Sequence, residues 1–398
     1  MYKITARIKT FNKDRLPEII PHKYKTMSAN MFGFYRGTCH IFYEDLHREK
    51  LKVKSPHTWI CGDLHLENFG SYKGNNRLLY FDLNDFDESI LAPASWELTR
   101  MVTSILVAFE SLKIEKKKAH NMARLFLKTY KETLAAGKAL YIEPQTARGI
   151  VFNFLNEASR RKKKELLKKK TEKRKGGRSI HTDNPKHLLI EKTLKLELMR
   201  HVTSWLKYNS DSPYNFKVKD VMFRLAGTSS LGLKRYVFLL ENSKDPSKHI
   251  LVEMKQSTAS CLQQYLTIKQ PSWDNDAERI VTVQKRMQNV SPALSSFTIF
   301  KGESFIIQEM QPTKDSIDFK KLKNNYRDMY QVIDDMAMLT ASAQLRSAGR
   351  QGSANADELI SFGESNKWQD AILKYAFAYI RQVKQDYKNF KSDLKKGF

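Results

Sequence analysis

Asp63 and Asn68 stand five residues apart in the stretch Ile60-Cys-Gly-Asp-Leu-His-Leu-Glu-Asn-Phe-Gly70, and Asp82 follows fourteen residues after Asn68. Phosphoryl transfer uses such a set. One carboxylate orients an attacking hydroxyl and takes its proton; an amide and a second carboxylate hold Mg²⁺ on the phosphates. Asp63 therefore reads as the catalytic residue, and Asn68 and Asp82 as metal ligands. Asp85, seventeen residues past Asn68, competes with Asp82 for the metal, and Asp87 and Glu88 add charge around it or hold a second ion. Four carboxylates between positions 82 and 88 repel one another unless a cation neutralises them. The bland alternative is an exposed acidic loop. His65 is expected to brace the loop. Arg36 is expected on a phosphate or on the acidic cluster, or else as a plain surface residue. Trp96 and Arg100 are expected to pack and pair behind the site.

Short elements must position these groups. A strand at 58–61 enters the Asp63 loop, and a second at 78–83 follows the turn-forming Lys73-Gly-Asn-Asn76. Apolar residues at helical spacing predict helices over 27–50, 94–112, 117–136 and 186–208. From about position 216 the pattern changes. Residues 218–224, 234–240 and 249–255 alternate as antiparallel strands do, followed by a helix at 274–289 and strands at 296–300 and 304–309. Helices over 326–346 and 367–388 end the chain. The order predicts an α+β protein in three stretches: a helical region over 1–215, a β-rich region over 216–312, and returning helices over 313–398.

A second constellation lies in the β-rich stretch. Gly227-Thr-Ser-Ser-Leu-Gly232 sits between two strands and lacks the Lys-Ser/Thr ending of a Walker loop. Glycines at both ends let a hairpin loop lie over nucleotide phosphates, backbone N–H groups toward the anion, with Ser229 and Ser230 adding hydroxyls. An ordinary turn has the same composition. Two strands on, Lys255 is placed to pair with the α- and β-phosphates, and Glu278 at the head of the next helix is its expected partner. Glu253 is nearer, but is assigned here to the opposite strand face. The strand ending in Glu309-Met310 is expected to present backbone groups to adenine.

The bulk composition sets limits. A chain of 398 residues with 41% hydrophobic and 11% aromatic content is globular in character. No apolar run approaches the length of a membrane span, the first residues lack the apolar core of a signal peptide, and Cys39, Cys61 and Cys261 are too scattered for a disulfide framework. A cytoplasmic setting is expected. The net charge is +26, of which twelve Lys/Arg against two Glu fall within residues 160–178. That run reads either as a solvated insertion or as a grip on nucleic acid or an anionic surface; it carries no aromatic residue to stack on bases.

The segment Gly62-Asp-Leu-His-Leu-Glu-Asn68 resembles the Gly-Asp-x-His-x-x-Asn loop of aminoglycoside and choline phosphotransferases in the protein-kinase-like superfamily. Over residues 25–385 the chain more closely resembles the domain of unknown function 2252 family. Met31-Phe-Gly-Phe-Tyr-Arg-Gly37, residues 62–70, Phe81-Asp-Leu-Asn-Asp-Phe-Asp-Glu88, residues 221–240, Met254-Lys255 and residues 307–310 carry that likeness. It implies a two-lobe kinase-like fold using ATP and Mg²⁺. In ordinary kinases the glycine loop and lysine precede the catalytic loop; here Asp63 comes first. A circular permutation accommodates this, because compact domains often bring their termini close together. An unrelated β domain over 216–312 is the alternative. The expected activity is phosphorylation of a hydroxyl on a small molecule, or of a protein. The rivals are AMP transfer, a nucleotide-binding pseudoenzyme, and nucleic-acid binding through 160–178.

Overall fold

The computed structural model describes residues 3–174, 177–184 and 186–397, and within them the protein is α+β. Its largest sheet has six antiparallel strands. From one edge to the other these are Ser296–Phe300, Glu303–Glu309, His249–Gln256, Arg235–Asn242, Phe216–Arg224 and His187–Leu188. Strand alternation gives the sheet one apolar face and a second that is apolar at one end and charged at the other. On one, Val221, Phe238, Val252 and Ile307 pack against Leu198, Val202 and Trp205 of the Lys192–Tyr208 helix. On the other, Met222, Val237, Leu239 and Leu251 pack against Leu166 and Leu167.

Those two leucines belong to the basic run, which folds into the helix Lys163–Lys170 and the hairpin Thr171–Arg174 with Gly177–Ile180. The run is therefore docked rather than wholly solvated. Both leucines are half-buried, so each contributes less than the roughly 1.5–3 kcal/mol of full burial, yet together they seat one short helix whose other positions are mostly lysine.

The remaining helices enclose a second core. Ala94–Ser111 packs against Lys116–Ala135, and Tyr326–Arg346 lies along the latter. Gln369–Lys395 crosses Ala94–Ser111 and meets the N-terminal helix Ile4–Phe11. The helix expected over 27–50 is three: Ile20–Ser28, Met31–Gly37 and Cys39–Glu49. Asn30 ends the continuity by capping the second with its side chain, which accepts the Gly33 N–H at 2.7 Å. The apolar spacing runs through these breaks, which is why periodicity reads them as one element.

Two small sheets carry the acidic loops. His57–Ile60 pairs with Ile90–Pro93, and Phe69–Lys73 pairs with Leu79–Leu83. Among the described residues no helix is long and apolar enough to cross a membrane, and all three cysteines are free and buried.

Candidate functional site

The Asp63 loop is held from behind. Glu97 on the Ala94–Ser111 helix accepts the Cys61 and Gly62 N–H groups at 2.6 and 3.3 Å. Tyr43 donates its hydroxyl to the Gly62 carbonyl, and its ring stacks on Trp96. Gly62 has φ +81°, and a Cβ there would collide with the Glu88 backbone carbonyl, so only glycine fits. Asp63 Oδ1 accepts from Arg100 Nη2 at 2.7 Å and Nε at 3.2 Å. Arg100 is fully buried, lies 3.7 Å over the Tyr35 ring and donates to the Tyr35 carbonyl. One carboxylate oxygen is thereby fixed by a charged fork; the carboxylate also borders a small cavity with Asp85, Asp87, Glu88, Ser229 and Ser230.

His65 braces the loop: its Nδ1 accepts the Glu67 N–H at 3.1 Å and its ring meets Phe32 edge-on. Burial, with the charges of Arg36 and Arg100, holds it well below the usual histidine range and hence neutral. Arg36 pairs with Glu67 and lies over the Phe32 ring. It reaches neither the acidic cluster nor the glycine loop, because Glu67 claims its guanidinium.

Asn68 acts as a clip between two loops. Its Oδ1 accepts the Asp85 N–H at 2.7 Å, and its Nδ2 donates to the carbonyls of Asp63 and Asp85 at 3.2 Å each. The amide expected on a metal is spent on backbone, and the residue is 2% exposed.

Asp82 lies apart from the cleft. It is buried inside the Leu79–Leu83 strand, accepts the Leu83 N–H at 2.8 Å, and stands 3.4 Å from Arg346 Nη2. Burial raises its pKa and Arg346 opposes the rise. Beyond the strand end the backbone turns, and Asp85 and Asp87 take the cleft positions that Asp82 was expected to share. Against desolvation, Lys255 and neighbouring cations hold Asp85 below the usual carboxylate range. Burial and repulsion from Asp85 push Asp87 above it.

Lys255 comes to this cluster from the sheet. Its ammonium pairs with Asp87 and stands 3.8 Å from Asp85. Glu278 is not its partner. That carboxylate caps its own helix, accepting the Asp274 N–H at 2.8 Å, and the helix Asp276–Met287 turns Ile280 and Gln284 to the cleft. Glu253 borders the same cleft as Lys255, since residues two apart on a strand share a face. Glu253 pairs with Arg224 and lies 3.5 Å from Arg235, and despite burial these cations hold it well below the carboxylate range.

The cleft between sheet and loops measures about 500 Å³. Gly227, Ser230, Glu309 and Met310 border it, with Leu166 and Lys170 of the basic helix at its wall. Glu309 is bound by Arg77 at 2.6 Å and Lys163 at 3.2 Å. Met310 N–H donates to the Leu251 carbonyl at 2.9 Å, so the donor expected for adenine is taken by the sheet. Gly232 and Ser229 sit deeper, against residues of the N-terminal segment.

Several residues that build the site left no local signal. Arg279 donates to the carbonyls of Asp87, Ser89 and Thr258 and so anchors the acidic loop. Arg15 and Lys23 bind the glycine loop. Their partners lie so far along the chain that no window of sequence displays them.

Among the described residues no group of three or more His, Cys, Asp or Glu is arranged to hold a metal ion. Mg²⁺ does not need one: it takes one or two carboxylates and completes its shell with phosphate oxygens and water. Asp85, with its side chain 55% exposed, and the neighbouring Asp87 fit that donor set.

No curated protein and no solved structure matches the chain. One family model does, over residues 15–393, and the chain thus belongs to the family described as "Uncharacterized protein conserved in bacteria (DUF2252)".

Proposed function

We propose that this protein is an ATP- and Mg²⁺-dependent phosphotransferase of the protein-kinase-like type, in circularly permuted order, acting on a hydroxyl of a small molecule. The observation that carries the reading is the meeting of Lys255 with Asp85 and Asp87, 170 and 168 residues earlier in the chain, the two carboxylates also bordering a small cavity with Asp63, Ser229 and Ser230. The order of parts along 216–312 supports it. A glycine loop joins the first two strands, the third bears the lysine, a helix follows, and the last strand leaves into a connector. A kinase-like nucleotide lobe needs that succession.

In this reading Asp63 receives the acceptor hydroxyl. Arg100 fixes the carboxylate's rotation, and a loose transition state asks for orientation more than for basicity. Lys255 faces the nucleotide phosphates. Asp85 and Asp87 would hold Mg²⁺, which supplies charge neutralisation on the phosphates. Ile306 and Met310 offer apolar contact to a base.

Label transfer tests the proposal. With candidate hydroxyl acceptors, transfer from γ-labelled ATP adds about 80 Da, whereas adenylyl transfer from α-labelled ATP adds about 329 Da. The γ-label should move and Asp63→Ala should stop it while nucleotide binding persists. Movement of the α-label alone would replace the proposal with AMP transfer. Full turnover by Asp63→Ala would remove the catalytic assignment.

A further inference from the structure

Neither Arg15 nor Lys23, both near the cleft, makes an ion pair with a carboxylate of the described residues; the charge of Glu88, which borders the same small cavity as Arg15, acts on both from a longer range. Lys23 is fully buried and donates to Asn12 Oδ1 at 2.9 Å and to the Ser229 carbonyl at 2.8 Å. Arg15 donates through Nη1 to the carbonyls of Ser229 and Leu231, each at 2.7 Å. Both lie against the Phe11 ring. Burying an ammonium without a directly paired carboxylate is costly: burial and the neighbouring Arg15 drive the Lys23 pKa well down, with the charges of Glu88 and Asp63 opposing the fall. The arrangement invites an anion.

The clamp also sets the shape of the glycine loop. In a trans peptide unit the N–H points opposite to the carbonyl. With the Ser229 and Leu231 carbonyls turned onto Arg15 and Lys23, the N–H groups of Ser230 and Gly232 point away from them. Neither has an acceptor among the described residues. Leu16 N–H donates to the Gly232 carbonyl at 2.9 Å, completing the tie. A Cβ on Gly232 would come within 2.8 Å of Arg15, so the segment and the loop must fit closely.

Arg15 has donors to spare. A guanidinium carries five N–H groups, and those on Nε and Nη2 have no acceptor among the described residues. The side chain borders the small cavity that Asp63, Asp85, Asp87, Glu88 and Ser230 also line. That space, about 20 Å³, has room for an ion or a phosphoryl oxygen and not for a base. Asp85, Asp87 and Ser230 border both it and the larger cleft, so the two spaces adjoin.

We propose that the N-terminal segment builds the subsite for the terminal phosphoryl group of the nucleotide: Arg15 contacts its oxygens, and Lys23 positions the glycine loop that covers it. The inference rests on the nucleotide reading above. It adds that the ligand is a nucleoside triphosphate recognised by its last phosphate, through residues outside both the sheet and the acidic loops.

Calorimetric titration of the full chain with Mg²⁺-ATP and Mg²⁺-ADP separates contact from mere loop support. The wild type should bind ATP about tenfold or more tightly than ADP, the scale of one charge-assisted hydrogen-bond pair. Arg15→Ala should bring that ratio close to one, mainly by weakening ATP. Lys23→Met should weaken both nucleotides alike and keep the ratio. Arg15→Gln, which retains a donor for one loop carbonyl but no charge, should also lose the preference and serves if Arg15→Ala does not fold. Equal weakening of both nucleotides by the Arg15 variants, an unchanged ratio, or a wild type that binds ATP and ADP equally would overturn the subsite. A wild type that binds neither nucleotide would instead overturn the proposed function beneath it.

Discussion

Asp82 and Asp85 look alike in the sequence and sit in different worlds in the structure. One is inside a strand against Arg346; the other opens to the cleft beside Lys255. Their substitutions should therefore part company. Asp82→Ala removes one partner of a buried pair and is expected to cost about 2–4 kcal/mol of stability, read as a lowered unfolding midpoint in denaturant. Asp85→Ala should leave that midpoint within about 0.5 kcal/mol, as expected for an exposed side chain, while abolishing Mg²⁺-dependent nucleotide binding. The reverse pattern would return the metal role to Asp82. Asp63→Ala should lower turnover by about 100-fold or more, with nucleotide affinity unchanged by equilibrium titration.

At the scale of elements, the Ala94–Ser111 helix is the mounting for the Asp63 loop. Its Arg100 grips Asp63, and its Glu97 takes the N–H groups of Cys61 and Gly62 and the Gln344 amide. Burial pushes the Glu97 carboxyl up to about 7, against those hydrogen bonds. The folded state thus holds a proton that the unfolded chain releases near the ordinary carboxyl value. This contribution to stability is complete below the unfolded pKa and is lost as pH rises toward about 7. Glu97→Gln keeps the acceptor oxygen without the charge. Relative to the wild type, its unfolding free energy should rise steadily between about pH 4.5 and 7, by an amount on the order of 3 kcal/mol at most. A difference that is flat with pH would mean that Glu97 is ionised throughout.

Elements with a strong period were legible. The helix Tyr326–Arg346 and the strands around Lys255 lie where the apolar spacing puts them. Elements defined by caps or by tertiary pairing were not. Asn30 divides a continuous apolar pattern, and Phe69–Lys73 becomes a strand by pairing with Leu79–Leu83. The basic run shows lysines to any composition count, and only the sheet beneath reveals that Leu166 and Leu167 seat it.

At the scale of the whole molecule, the site is assembled from segments that the chain visits far apart. Asp63, Asp85 and Lys255 could be nominated from sequence because each sits in a local motif. Arg15, Lys23 and Arg279 could not, since Arg15 and Ser229 are 214 residues apart. Asn68 was legible as a site residue but not in its role, because its amide oxygen goes to Asp85 N–H rather than outward. The permuted order proposed above is one arrangement that would bring such distant segments together.

The most direct test of that convergence is a thermal-shift titration with ATP, with and without Mg²⁺, on the wild type and on Lys255→Met. A ligand that binds only the folded state raises stability by about 2.7 kcal/mol at a hundredfold excess over its Kd. The wild type should show a Mg²⁺-dependent rise in melting temperature, and the variant without the sheet lysine a much smaller one. No shift at millimolar ATP, or a full shift in Lys255→Met, would contradict a nucleotide site built jointly by the sheet and the acidic loops.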